Sequence, residues 1–110
     1  MSMQVIGILL LTSLISALGQ IILKYGAVGR VHFHEFINPW VFLGLLCYGA
    51  AAILWIYCLS KITLILAYPF TTLGFLLTIL AGTLLFGETA SSTYWIGLVF
   101  ILLGLFLVSL

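Results

Sequence analysis

Residues 3–25 read MQVIGILLLTSLISALGQIILKY, an apolar run whose few polar side chains fall at helical spacing. Crossing about 30 Å of hydrocarbon takes about 20 predominantly apolar residues in a helix, and this run is long enough. Ser13, Ser16, Gln20 and Lys24 recur every three or four positions, with Thr12 beside them, so they share one helix face. Gly19 lies next to that stripe. Lipid offers such a face no hydrogen-bonding partner, so the stripe is expected to point inward.

Three further segments are long and apolar in the same way: 39–60, 63–86 and 93–110. Backbone groups in lipid must be satisfied within their own segment, so all four are expected to be helical. The expected fold is all-α, a single four-transmembrane-helix bundle over residues 1–110. Composition agrees. Of the 110 residues 65% are hydrophobic and only 5% charged, and the mean hydropathy is +1.46. A soluble domain carries about 25% charged residues, so this chain could not cover a water-exposed surface. The net charge of +1, with Lys24, Arg30 and Lys61 scattered, gives no basis for binding nucleic acid. The opening Met1-Ser2-Met3-Gln4 holds no Lys or Arg, and the following stretch is long enough to span, so it reads as a retained helix rather than a cleaved signal. Cys47 and Cys58, if helical, sit roughly 16 Å apart along the axis. That is beyond the reach of a disulfide, and both read as small buried hydrophobes.

The breaks between segments fit this division. Gly26 and Gly29 are placed as stops after the first helix. Asn38-Pro39 reads as a cap followed by proline at the first helical position. Ser91, Ser92 and Thr93 offer caps for the last helix. Trp40, Tyr94 and Trp95 fall at helix ends, where aromatic rings favour the interface. The longest loop, 26–38, holds Arg30, His32, His34 and Glu35; the second, near Lys61-Ile62, makes a tight hairpin; the third holds Glu88. Counting Lys24 and Arg30 on one side against Lys61 on the other, the positive-inside rule favours a cytoplasmic first loop by one charge. So small a bias permits dual insertion, and two oppositely oriented copies would form the inverted repeat many transporters use.

Chemistry-bearing residues are few. Ser and Thr hydroxyls on the first helix can bond back to their own backbone, whereas Gln20 carries donors and acceptors that cost about 1–3 kcal/mol if buried unpaired. Gln20, Ser13 and Ser16 are therefore candidates for a substrate pathway. Lys24, near the helix end, either snorkels to headgroups or contacts phosphate together with Arg30. Pro69, in Ala67-Tyr68-Pro69-Phe70, frees a carbonyl one turn back and can bend the third helix. Thr71, Gly74, Thr78 and Gly82 form a small-residue stripe that suits close packing. Tyr68 could line a cavity, and Tyr48, Trp55 and Tyr57 could stack on a ligand. Gly97 and Gly104, seven residues apart among large aliphatics, suit a helix contact within the chain or between chains. His32, His34 and Glu35 lack a fourth ligand nearby, so no metal is expected. No other cofactor is called for. The carboxylates Glu35 and Glu88 both sit at membrane edges, and no Ser/His/Asp spacing is present, so an enzyme is not expected.

The run from Trp55 to Leu110 resembles the second half of drug/metabolite transporter modules. The resemblance lies in Ala67-Tyr68-Pro69, Phe86-Gly87-Glu88, Tyr94-Trp95-Ile96-Gly97 and the glycine pair ending at Gly104. Four helices in a chain this short resemble the small multidrug resistance branch, which forms dimers, often antiparallel, through a similarly spaced glycine pair. Those exporters bind cation and protons with a glutamate in the middle of helix one. Aligning Gly19 and Lys24 on their Gly and Lys puts Ser16 there, and no neighbour supplies an acid. A buried carboxylate is what couples proton release to cation binding, so export of the usual kind is not expected. Gly19-Gln20 with Lys24 is more similar to the flippase subunits that carry aminoarabinose linked to undecaprenyl phosphate. These are also four-helix proteins lacking the glutamate, with an Ala-Tyr pair opening helix three.

Three functions remain open on the sequence. The first is a flippase for a lipid-linked sugar of the polyprenyl phosphate type, or for a related anionic amphiphile, in a prokaryotic cytoplasmic (inner) membrane. The second is a small multidrug or metabolite exporter with non-standard coupling. The third is a non-transporting membrane scaffold subunit. One chain is too small to enclose a path, so at least a dimer is expected, with a second copy or a paralogous four-helix subunit.

Overall fold

The computed structural model describes residues 2–109. Five α-helices follow in order: α1 (Met3–Ala27), α2 (Pro39–Leu59), α3 (Leu64–Ala67), α4 (Thr71–Leu85) and α5 (Ser92–Ser109). Two 3-10 turns, Phe33–Phe36 and Tyr68–Phe70, complete the regular structure, and no strand occurs among the described residues. Helices α3 and α4 with their connecting turn make one broken span. This span, α1 and α2 are each long and apolar enough to cross a membrane, while α5 is apolar but slightly shorter. The protein is an all-α membrane bundle. Of the expected last segment, Leu110 lies outside the described residues.

Local chemistry sets the helix ends. The Ser2 hydroxyl accepts from the Val5 amide at 3.2 Å and starts α1. Asn38 caps α2 through its side-chain oxygen, which accepts from the amides of Trp40 at 3.0 Å and Val41 at 3.1 Å. Its Nδ2 donates to the Gly26 carbonyl at 3.1 Å and the Glu35 carbonyl at 3.0 Å, tying the end of α1 to the start of α2. Thr63 caps α3, and Ser91 caps α5 by accepting from the Tyr94 amide at 3.2 Å. Pro69 has no amide hydrogen to donate, and the helix tightens into the 3-10 turn around it before resuming as α4. Gly26 does not stop α1. It lies inside the last turn, and Gly29, with φ +76°, stands beyond the helix end.

Helix α1 is the centre of the bundle. It packs along α2 and, over a shorter length, against α4, while α2 and α4 scarcely touch one another. The α1–α2 contact is close because glycines meet across it. A Cβ on Gly19 would lie 3.2 Å from the Cys47 Cβ, and one on Gly44 would lie 2.7 Å from the Leu23 Cγ and 3.1 Å from the Leu23 backbone nitrogen. Apolar packing is densest at one end, where Val5, Leu9, Cys58 and Ala67 are buried and Trp55, Leu59, Ile62 and Phe70 pack around them. Both cysteines are free thiols. Helix α5 meets the rest mainly at the 3-10 turn of the broken span, and a Cβ at Gly97 or Gly104 would meet nothing within 4 Å.

The glycine contact yields a paired test. Gly44→Ala forces Leu23 aside and is expected to cost about 1–3 kcal/mol, the usual range for overpacking. Gly49→Ala, one turn further along α2 with nothing within 4 Å of its Cβ, is expected to be neutral or slightly stabilising. Thermal unfolding in detergent distinguishes the two.

Candidate functional site

The side chains that α1 withholds from lipid open onto a cleft between α1, α2 and α4. Its volume is about 500 Å³. Helix α1 forms the floor with Thr12, Ser13, Ser16 and Gln20; α2 contributes Tyr48, Ala51, Ala52 and Trp55; α4 contributes Thr71, Gly74, Phe75 and Thr78. The cleft exists because α1 touches both neighbours while they diverge, and because Ala51, Ala52 and Gly74 leave space where larger side chains would fill it. At the α1–α4 crossing a Cβ on Gly74 would lie 3.3 Å from the Ser13 carbonyl oxygen.

Hydroxyls, one amide and three aromatic rings make this lining, with no charged side chain in it. The Thr12 hydroxyl donates to the Ile8 carbonyl at 2.8 Å. The Ser13 hydroxyl is shared between the Leu9 carbonyl at 3.1 Å and the Phe70 carbonyl at 2.9 Å. The second of these bonds joins α1 to the 3-10 turn of the broken span. Thr71 and Thr78 donate to the carbonyls of Tyr68 and Gly74, each at 2.7 Å. Gln20 Nε2 donates to the Tyr48 hydroxyl across the α1–α2 interface. Each back-bonded hydroxyl keeps its lone pairs as acceptors, and the Gln20 amide keeps its carbonyl oxygen. The cleft can therefore hydrogen-bond a hydroxyl-rich group and stack its aromatic walls on an apolar ring face.

The three parts of the bundle lie in axial order. The apolar end, at Val5 and Leu9, closes one side; the cleft occupies the middle; Lys24 marks the other end. From Val5 to Lys24 the rise is about 28 Å, close to the hydrocarbon thickness. Lys24 lines a smaller cavity of about 170 Å³ with Gln20, Ile21, Thr78, Ala81, Gly82, Phe86 and Glu88. Gln20 and Thr78 border both cavities, so the two adjoin. Lys24 Nζ lies 3.4 Å from Glu88 Oε2.

Of the residues singled out in the sequence, Ser13, Ser16, Gln20, Tyr48 and Trp55 meet in the main cleft. Tyr68 does not line it. Its ring stands edge-on to Trp55 with centroids 6.2 Å apart, facing a separate cavity shared with Ile101, Leu105 and Val108 of α5. Arg30 does not line the cavity of Lys24, and its Nε donates to the Gly26 carbonyl at 3.2 Å. The Glu35 carboxylate accepts from the Val31 amide at 3.0 Å, and His32 and His34 stack with centroids 5.7 Å apart. Thr71 and Thr78 belong to the cleft although their spacing suggested packing, and Phe75, which the sequence did not single out, joins them. The sequence signal for them was the four-residue step from Gly74 to Thr78, which repeats the stripe on α1. Nothing local in the sequence paired Glu88 with Lys24.

Relatives with assigned names align along most of the chain. A protein of Escherichia fergusonii named as a probable 4-amino-4-deoxy-L-arabinose-phosphoundecaprenol flippase subunit ArnE is 36% identical over 102 residues, covering 89% of this chain and 90% of its own length. One of the same name from Pseudomonas savastanoi pv. phaseolicola is 33% identical over 103 residues, covering 89% and 90%. Another from Aeromonas salmonicida is 28% identical over 102 residues, covering 88% and 90%. No family model matches, and no solved structure does.

Access of water to the cleft has a direct test. In a background of Cys47→Ala and Cys58→Ala, Ser16→Cys is expected to react with a membrane-impermeant maleimide. Leu14→Cys, on the exposed apolar side of α1, is expected to resist it by about tenfold in rate, because lipid-facing thiols rarely ionise. Mass spectrometry of the labelled protein reads both.

Proposed function

From the premise that the chain belongs to the family of 4-amino-4-deoxy-L-arabinose-phosphoundecaprenol flippase ArnE subunits, we propose that it moves the headgroup of a polyprenyl-phosphate-linked sugar across the bacterial inner membrane. It acts as a transporter subunit rather than an enzyme. The observation that carries the reading is the uncharged cleft on α1, a mainly apolar and aromatic lining that carries hydroxyl and amide groups, joined through Gln20 and Thr78 to the cavity of Lys24. A phosphate and a sugar cannot cross hydrocarbon unaided, because each unpaired polar group costs several kcal/mol to desolvate. The cleft replaces lost water bonds with Ser13, Ser16, Gln20 and Thr78, while Tyr48 and Trp55 offer flat faces to the sugar ring. The lipid tail would stay in the bilayer. Lys24 meets the phosphate where the headgroup enters, and Arg30 draws anions to the same membrane face.

A second subunit completes the path. The relatives are named as subunits, and α5 holds the open glycine positions Gly97 and Gly104 on a face that the rest of the chain leaves uncovered. A second copy or a paralogous four-helix subunit packing there would enclose the cleft from the far side. The absence of any carboxylate from the cleft lining favours this reading over a proton-coupled exporter of hydrophobic cations.

Proteoliposomes containing the chain and its copurifying subunits are expected to translocate a polyprenyl phosphate sugar. Gln20→Ala should slow the initial rate about fivefold, the equivalent of about 1 kcal/mol of lost hydrogen bonding. No transfer of any such lipid by the unaltered protein would reject the proposal.

A further inference from the structure

Lys24 and Glu88 are the charged side chains that border the connected cavities, and they face each other. Their exposures are 48% and 52%, so each is reachable from the cavity they share. At 3.4 Å the contact is a single, loose one, and an exposed pair of this kind contributes about 0–1 kcal/mol. It is cheap to open. The approach of Glu88 is nonetheless specific. The chain turns at Gly87, whose φ is +65°, and the Glu88 amide donates to the Gly82 carbonyl at 3.0 Å. The carboxylate then folds back over Gly82, where Oε1 occupies the place that a side chain would need, 2.6 Å from a built Cβ. Glu88 also borders a second cavity with Thr83, Thr89, Ser91 and Tyr94. It stands between that cavity and the one holding Lys24.

We propose that Lys24 and Glu88 form a partner-exchanging receptor for a zwitterionic headgroup, Lys24 taking its phosphate and Glu88 its amine. This rests on the flippase-subunit reading above and assigns the specificity of that same site. The argument is one of charge balance. A headgroup with one phosphodiester and one protonated amine has no net charge, and neither has the pair. When such a headgroup enters, each protein ion exchanges its internal partner for an opposite charge on the ligand, and none is stranded. A headgroup with phosphate alone takes Lys24 from Glu88 and leaves the carboxylate facing a second anion across a single cation, a like-charge juxtaposition that disfavours it. Discrimination therefore comes from the penalty on the wrong ligand as much as from attraction to the right one. The lining of the main cleft holds no charge to repel an amine-free headgroup, so that part of the selection belongs at the pair.

The test compares two probes that differ only in the amine. One is a short-chain polyprenyl phosphate bearing an amino sugar, and the other is its N-acetylated form. Binding is measured to the unaltered chain with its copurifying subunits in nanodiscs. The unaltered protein should prefer the free amine by about fivefold, the upper scale of a partly exposed charge pair. Glu88→Gln should bring the two probes within about twofold, weakening the amine-bearing one and strengthening the acetylated one, while Glu88→Asp retains most of the preference. Gly82→Ala, which displaces the carboxylate without removing it, should lose the preference and leaves a check should Glu88→Gln fail to fold. Lys24→Gln should weaken both probes. Equal binding of both probes by the unaltered protein, or a full preference in Glu88→Gln, overturns the receptor while leaving the flippase reading intact. Binding of neither probe overturns both.

Discussion

Lipid gives the hydroxyls and amide of α1 nothing to bond to, and the rest of the bundle is arranged around that constraint. The face carrying Thr12, Ser13, Ser16 and Gln20 has to meet protein or water. It meets protein on two sides and an open cleft between them, because α1 packs against α2 and α4 together while those two helices diverge. The close approach at Gly19 and Gly44 brings Tyr48 within hydrogen-bonding reach of Gln20. The α4 side is fixed by Ser13, whose hydroxyl reaches the Phe70 carbonyl. The stripe that would be a liability in lipid thus becomes the floor of a cleft.

The break in the third span serves the same arrangement. Pro69 removes a donor, the backbone tightens at Tyr68–Phe70, and the Phe70 carbonyl gains the Ser13 hydroxyl as a donor from another helix. Exposing backbone groups at membrane depth is tolerated where protein or a polar cavity satisfies them. Here the irregular turn sits at the boundary between the apolar end, sealed by Leu9, Cys58 and Ala67, and the cleft. The same turn provides most of the contact with α5.

Much of this was legible in the sequence. Hydropathy alone defines the spans, since a run of apolar residues in lipid has few alternatives to a helix. The three- and four-residue spacing of Ser13, Ser16 and Gln20 placed them on one face, and the requirement to hide that face placed it inward. Other features depended on tertiary contacts. Gly26 reads as a helix stop from local rules, yet it is held inside α1 because Val41 and Trp40 need its missing side chain. Thr71 and Thr78 looked like packing residues because small side chains serve both contacts and cavities, and only the divergence of α2 from α4 decides between them. Glu88 pairs with a lysine far away in the sequence, through a turn at Gly87 that no periodicity announces. Tyr68 carried the same ambiguity as Trp55, and the 3-10 turn directs it toward α5 instead.

The axial order of apolar end, polar cleft and charge pair gives the transport account its central claim, that a headgroup is held on the α1 face between α2 and α4. A cryo-electron microscopy structure of the chain with its copurifying subunits and a bound polyprenyl-phosphate sugar tests this most directly. The account predicts headgroup density along the α1 face from Ser16 and Gln20 to Lys24, with the phosphate at Lys24. Headgroup density on the outer face of α5, with the α1 cleft filled by lipid tail or side chains, would contradict it.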